Sequence, residues 1–201
     1  MKADDRRTGL SLHGFFDAYE RNGFQMNSKL SVRRLTLSAM LLAVGLLLPF
    51  LTGQIQHIGN MLCPMHLPVL ICGMVCGPVW GLAVGAVTPL LRSVLFGMPV
   101  LMPMAAAMAF ELAAYGFVSG YLRRRLPKTL PMLFLSLIAA MLLGRVVWGL
   151  VSVPLYGVAG KGFTFSLFIA NGFVNAIPGM ILQLIAVPAI VTALEKARLT
   201  N

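Results

Sequence analysis

The chain has 201 residues, 58% of them hydrophobic and only 11% charged, with a mean hydropathy of +0.85; this composition excludes an ordinary soluble domain and places the chain in a bilayer. A spanning helix takes roughly 20 residues, so six spans use about 120 and leave no room for a separate soluble catalytic domain or an attached ATPase. Sixteen Lys and Arg against six Asp and Glu give a net charge of +10, but the basic residues gather at the ends of apolar runs, which argues against nucleic acid as the partner.

Residues 1–31 form a polar, mixed-charge segment with no strong apolar period. We expect a soluble tail, with Met26 as an alternative native start, because Met-Asn-Ser-Lys before a basic pair and an apolar run is a common opening for an inner-membrane protein. The stretch also imitates a signal peptide, yet no small-x-small cleavage site follows and further spans do. The membrane domain is expected over 32–198. Its apolar windows are 35–52, 65–76, 79–96, 104–122, 130–153 and 165–194. Three basic groups flank them: Lys29, Arg33 and Arg34; Arg123, Arg124, Arg125 and Lys128; Lys196 and Arg198. The positive-inside rule puts all three groups in the cytoplasm. Six spans with the middle basic loop after the fourth satisfy this, so the expected fold is an all-α membrane protein with six transmembrane helices and both termini cytoplasmic. The second window is bounded by Pro64, Pro68 and Gly77-Pro78 and should be short and Pro-interrupted. The outer connections, 53–64, 97–103 and 154–164, carry Gln54, Gln56, His57, Asn60 and Lys161.

Charge inside the spans marks the candidate site. Arg92 lies late in the third window, Glu111 early in the fourth and Arg145 about two-thirds along the fifth. With this topology all three fall in the outer half of the membrane, where a charged group faces a cavity or another charge. Asn171 and Asn175, spaced i,i+4 at the start of the sixth window, share a helix face at that level, and His66 reaches it from the second. Arg92 and Glu111 could form a structural pair pinning two helices. Arg145 is then expected to lack an acidic partner, since Glu111 is the only acidic residue between Glu20 and Glu195. A buried guanidinium without a carboxylate is costly and invites an anionic ligand. Trp148, three residues after Arg145, could stack on a ligand ring or belong to an outer aromatic belt.

Gly73, Gly77, Gly81 and Gly85 recur at intervals of four, and Ala39 and Ala43 form a small-xxx-small pair on the first span. Both sets suit close helix packing within the bundle or a flat face for another membrane protein. Cys63, Cys72 and Cys76 do not form a disulfide framework. Cys63-Pro64-Met65-His66 with Met61 and His57 has the composition of a soft-metal cluster, but no second Cys-x-x-Cys supports it, so no metal is assigned. Residues 157–162 resemble a phosphate loop only superficially, because the Gly-to-Lys spacing is wrong and no Ser or Thr follows Lys161. Neither Gly-x-Ser-x-Gly, His-Glu-x-x-His nor paired carboxylates occur. No cofactor and no catalysis are expected, intramembrane acid-base chemistry by Glu111 with His57 and His66 being a distant alternative.

The basic start, the Ala39/Ala43 first span, the outer loop leading into a short second span, Gly77-Pro78 before the third and the six-span pattern resemble the substrate-binding S component of energy-coupling factor (ECF) transporters. Met65-His66-Leu67-Pro68-Val69-Leu70, Gly81-Leu82-Ala83-Val84-Gly85 and Asn175-Ala176-Ile177-Pro178-Gly179 are similar to the vitamin-uptake group of that family, over about residues 29–196. The resemblance implies a bacterial-type plasma membrane protein that captures a vitamin from outside with high affinity. It implies partners as well: a transmembrane coupling subunit, docked on the Ala39/Ala43 face, and two cytoplasmic ATPases. It also implies a ligand held in the outer half beneath the loops after the first, third and fifth spans. Candidate substrate-binding residues are therefore Arg92, Glu111, Arg145, Trp148, Asn171, Asn175, His66, Gln56, His57 and Asn60. Two arginines against one glutamate favour an anionic vitamin or precursor, pantothenate or a folate-like carboxylate, over riboflavin, a corrinoid or thiamine. The competing reading is a stand-alone secondary transporter or channel for a small organic anion.

Overall fold

The computed structural model describes residues 28–51, 62–160 and 162–197, with side chains from residue 32 on and excluding residue 51. Gln56, His57, Asn60, Lys161, Arg198 and the segment up to Asn27, including the Met26 start, lie outside the described residues. The chain divides into two compact units, Met1–Arg33 and Arg34–Asn201. Of the first, only residues 28–33, the opening turns of a helix, are described; the second contains the bundle.

All regular structure among the described residues is helical. Helix α1 is Ser28–Leu51, α2 His66–Cys76, α3 Pro78–Phe96, α4 Ala106–Arg125, α5 Leu130–Val158, α6 Phe165–Ile169 and α7 Ile177–Lys196. One π-helical turn, Leu101–Ala105, leads into α4, and another, Ala170–Val174, joins α6 towards α7. Five runs are long and apolar enough to cross a membrane: Val32–Phe50, Pro78–Phe96, Leu101–Arg125, Leu130–Val158 and Phe165–Lys196.

Helix α2 is the short element expected from the sequence. Its 11 residues reach about 16 Å, roughly half the hydrocarbon thickness. The expected interruption by proline does not occur. Pro64 precedes the helix, Pro68 stands in its first turn, where a missing N–H breaks no bond, and Pro78 opens the next helix. Its sequence is apolar all round, which suits a helix surrounded by protein, and His66, Pro68 through Met74 and Cys76 are buried. It contacts α3, α4 and α7. Val69 and Leu70 on α2, Leu112 and Tyr115 on α4, Leu133 and Leu137 on α5, and Val187 and Val191 on α7 have no exposed surface and form the core.

The glycine row closes this core. Gly77, at φ 108°, makes the turn between α2 and α3, its N–H donating to the Gly73 carbonyl at 3.0 Å; a side chain there would be strained and would run into Arg124. A Cβ on Gly73 or Gly81 would strike the Gly116 carbonyl, and one on Gly85 the Leu112 carbonyl. The row is therefore internal packing: it brings α2 and α3 against the backbone of α4 and leaves no docking face there.

Two helix ends depart from the expected boundaries. Helix α5 continues past Pro154 to Val158, because a proline removes one hydrogen bond without forcing a long apolar helix to stop. The last apolar window is one kinked run, α6, a π-turn and α7, with Pro178 starting the final helix.

Candidate functional site

The deepest polar cluster lies where α2, α4 and α5 converge. Glu111, one and a half turns into α4, has a side chain 2% exposed; its Oε1 is 2.9 Å from Arg145 Nη1 and 3.4 Å from His66 Nε2. A second guanidinium nitrogen, Arg145 Nη2, donates to Cys63 Sγ at 3.6 Å. Tyr115, one turn along from Glu111, lays its ring edge-on to His66 with centroids 5.0 Å apart. Cys63 holds a left-handed backbone, φ 46°, rare for a residue with a Cβ. Its carbonyl accepts from His66 N–H at 3.1 Å, so this one bend delivers both the thiol and the imidazole to the cluster.

Two expectations about the charges are overturned together. Arg145 has its carboxylate, Glu111, and the Arg92–Glu111 pair does not form. Spacing along the chain could not reveal this. Glu111 faces α5 because the small residues of α4, Gly116 with Gly81 and Gly120 with Gly73, press its opposite side against α2 and α3. Arg92 instead points towards α1: Nη1 donates to the Leu46 carbonyl at 2.6 Å, and its guanidinium carbon lies 5.1 Å from the Phe50 ring centroid and 5.5 Å from that of Phe96. It is 3% exposed, and no carboxylate pairs with it among the described residues.

The remaining expected residues fall into other surroundings. Trp148 is buried and stacks on Phe168, centroids 6.0 Å and planes 20° apart, with Phe163 edge-on at 5.5 Å. Gly149 makes room for Phe168. Trp148 thus belongs to an aromatic cluster at the α5–α6 connection, on the same face of α5 as Arg145. Asn175 Nδ2 donates to Asn171 Oδ1 at 3.1 Å, and both residues are exposed; no described contact joins them to Glu111. Ala39 and Ala43 are exposed along with Leu35, Met40, Val44 and Leu47, while the opposite side of α1, Ser38 and Gly45, packs on Cys72, Pro68 and Thr88.

Among the described residues several buried polar atoms have no partner: Arg123 Nε and Nη1 near the end of α4 and, on the helices around the cluster, His66 Nδ1, Tyr115 Oη, Arg145 Nε, Ser152 Oγ and both amide atoms of Gln183. Buried polar groups are normally satisfied, so such a set marks a place for a polar guest. Tyr115, Ser152 and Gln183 were not expected from the sequence. Their signals were weak but present: Tyr115 is i+4 from Glu111, Ser152 is i+7 from Arg145, and Gln183 is the one amide within the run 177–194.

The family described as ECF transporter, substrate-specific component, has a model that matches residues 33–191. No curated protein and no solved structure matches the chain.

Proposed function

The chain belongs to the family of ECF transporter substrate-specific components, a multi-pass membrane protein and transport subunit, and on that premise we propose that it captures a small vitamin or vitamin precursor with high affinity for ATP-driven uptake. ATP hydrolysis is assigned to separate partners, a transmembrane coupling subunit and two cytoplasmic ATPases. The topology proposed is six crossings, with α2 as the short second one and both termini on the cytoplasmic side of a bacterial-type plasma membrane. The basic groups at Arg33–Arg34, Arg123–Lys128 and Lys196 support that orientation.

The observation that carries the reading is the buried Glu111–Arg145–His66 cluster, ringed by polar atoms without partners. A purely structural ion pair in a bundle is favoured only when its remaining donors and acceptors are also satisfied, and here they are not. The pull on an anionic group passes from Arg145, now compensated, to Arg92 at the α1–α3 contact. An anionic vitamin such as pantothenate or a folate-like carboxylate remains the substrate class favoured. The exposed Ala39/Ala43 face on α1 suits the docking of the coupling subunit, because small side chains let another helix approach closely.

Reconstitution in vesicles tests this. The expected result is vitamin uptake that requires both the partner subunits and ATP. Gradient-driven uptake by this chain alone would replace the proposal with a stand-alone secondary transporter.

A further inference from the structure

We infer that Gln183 reads the ligand directly, its side-chain amide pairing with a neighbouring donor and acceptor on the substrate, as a carboxamide, lactam or ureido group presents. This deepens the capture reading above and rests on it.

Gln183 is 1% exposed, and among the described residues neither Nε2 nor Oε1 has a hydrogen-bond partner. It belongs to the buried stripe of α7, with Ala176, Gly179, Val187 and Val191, so its side chain points into the bundle. An amide buried without partners costs about 1–3 kcal/mol on the protein mutational scale. A leucine would fill the same place without that cost, so packing alone gives no reason for the amide.

Its depth is set by a contact at the other end of the helix. Arg123 Nη2 on α4 donates to Glu195 Oε1 on α7 at 2.6 Å, which levels the two helices there. Stepping back the same twelve residues along each, about 18 Å, reaches Glu111 on α4 and Gln183 on α7. The amide therefore stands in the layer of the Glu111 carboxylate. Helix α7 contacts α2 and α5, the helices that bring His66 and Arg145 to that layer.

Ser152, about 10 Å further along α5 from Arg145, is a second buried polar group with no partner among the described residues. Hydroxyls elsewhere in the bundle fold back onto the carbonyl four residues earlier: Thr88 to Val84 at 2.6 Å, Ser136 to Met132 at 2.7 Å and Thr192 to Pro188 at 2.7 Å. Ser152 is fully buried, two turns along α5 from Arg145, and its hydroxyl does not. The chemistry of the guest follows from the amide. A carboxylate would satisfy Nε2 and leave Oε1 bare; an ammonium would do the reverse. Only a group offering an acceptor beside a donor satisfies both atoms at once.

The test uses the full chain in lipid nanodiscs, wild type and Gln183→Leu, with folate, biotin and nicotinamide as probes that carry the amide-type group, and nicotinate and lipoate as carboxylates without it. Native mass spectrometry identifies any molecule that co-purifies. The expected result is that wild type binds an amide-type molecule, that Gln183→Leu weakens it on the order of tenfold or more, and that the unliganded variant melts at the same temperature or higher. Undiminished affinity in the variant, a ligand lacking the amide-type group, or a lower unliganded melting temperature would each overturn the assignment. If wild type holds no probe and no co-purified molecule, the capture reading itself fails and the assignment falls with it.

Discussion

Replacing Glu111 by Gln keeps the side chain's shape and removes its charge, leaving the Arg145 guanidinium in a site where it is 6% exposed. At 2.9 Å and an effective dielectric of about 20, the gross attraction is about 6 kcal/mol, much of it offset by the cost of burying both ions. Removing one partner of such a pair costs roughly 3–5 kcal/mol. For a bundle of this size that lowers the melting temperature by about 6 to 20 °C. Arg145→Met should do less harm, because a carboxyl left alone can take up a proton whereas a guanidinium cannot lose one. The double variant Glu111→Gln/Arg145→Met should recover part of the loss, giving a coupling of about 2 kcal/mol or more. Thermal unfolding of the purified protein in detergent, followed by intrinsic fluorescence, measures all four proteins. A Glu111→Gln protein that melts with wild type, or single effects that simply add in the double variant, would refute the pairing and its energetic weight.

Gly116→Ala should destabilise the chain by at least about 1–3 kcal/mol, since its Cβ would strike the Gly81 carbonyl, whereas Gly157→Ala, with nothing within 4 Å, should leave the stability, read from melting curves, within about 0.5 kcal/mol of wild type. Ala43→Leu should leave stability and ligand binding unchanged, because the site is exposed, but abolish co-purification with the coupling subunit; retained co-purification would remove α1 as the docking face. Arg92→Gln should weaken an anionic ligand by about tenfold and cost about 1.5–3 kcal/mol for the charged hydrogen bond to the Leu46 carbonyl, with up to about 2 kcal/mol more for each lost contact with the Phe50 and Phe96 rings, as calorimetry and melting curves together would show. Glu195→Gln should cost about 1.5–3 kcal/mol, since Arg123 is 5% exposed and this carboxylate is its partner; a melting temperature equal to wild type would contradict that.

Residence in the membrane, the helical class and most helix ends were legible in the chain because they depend on local chemistry. Long apolar runs partition into lipid wherever they occur, and Gly77-Pro78, Gly97 and Pro127 end or start helices through their own backbone preferences. The short length of α2 could be counted along the runs. Which arginine meets Glu111 could not be counted. That depends on how far each helix is rotated about its axis, and one residue's shift turns a side chain by about 100°. Rotation is decided by tertiary contacts, above all the seam where Gly73 and Gly81 meet Gly116 and Gly120. The same seam packs α2 and α3 against α4, and the Arg123–Glu195 contact ties α7 to α4. Hydropathy and charge thus determined a helical membrane protein with a few charged residues inside its apolar runs; only the packing of helix against helix decided the partners of those charges.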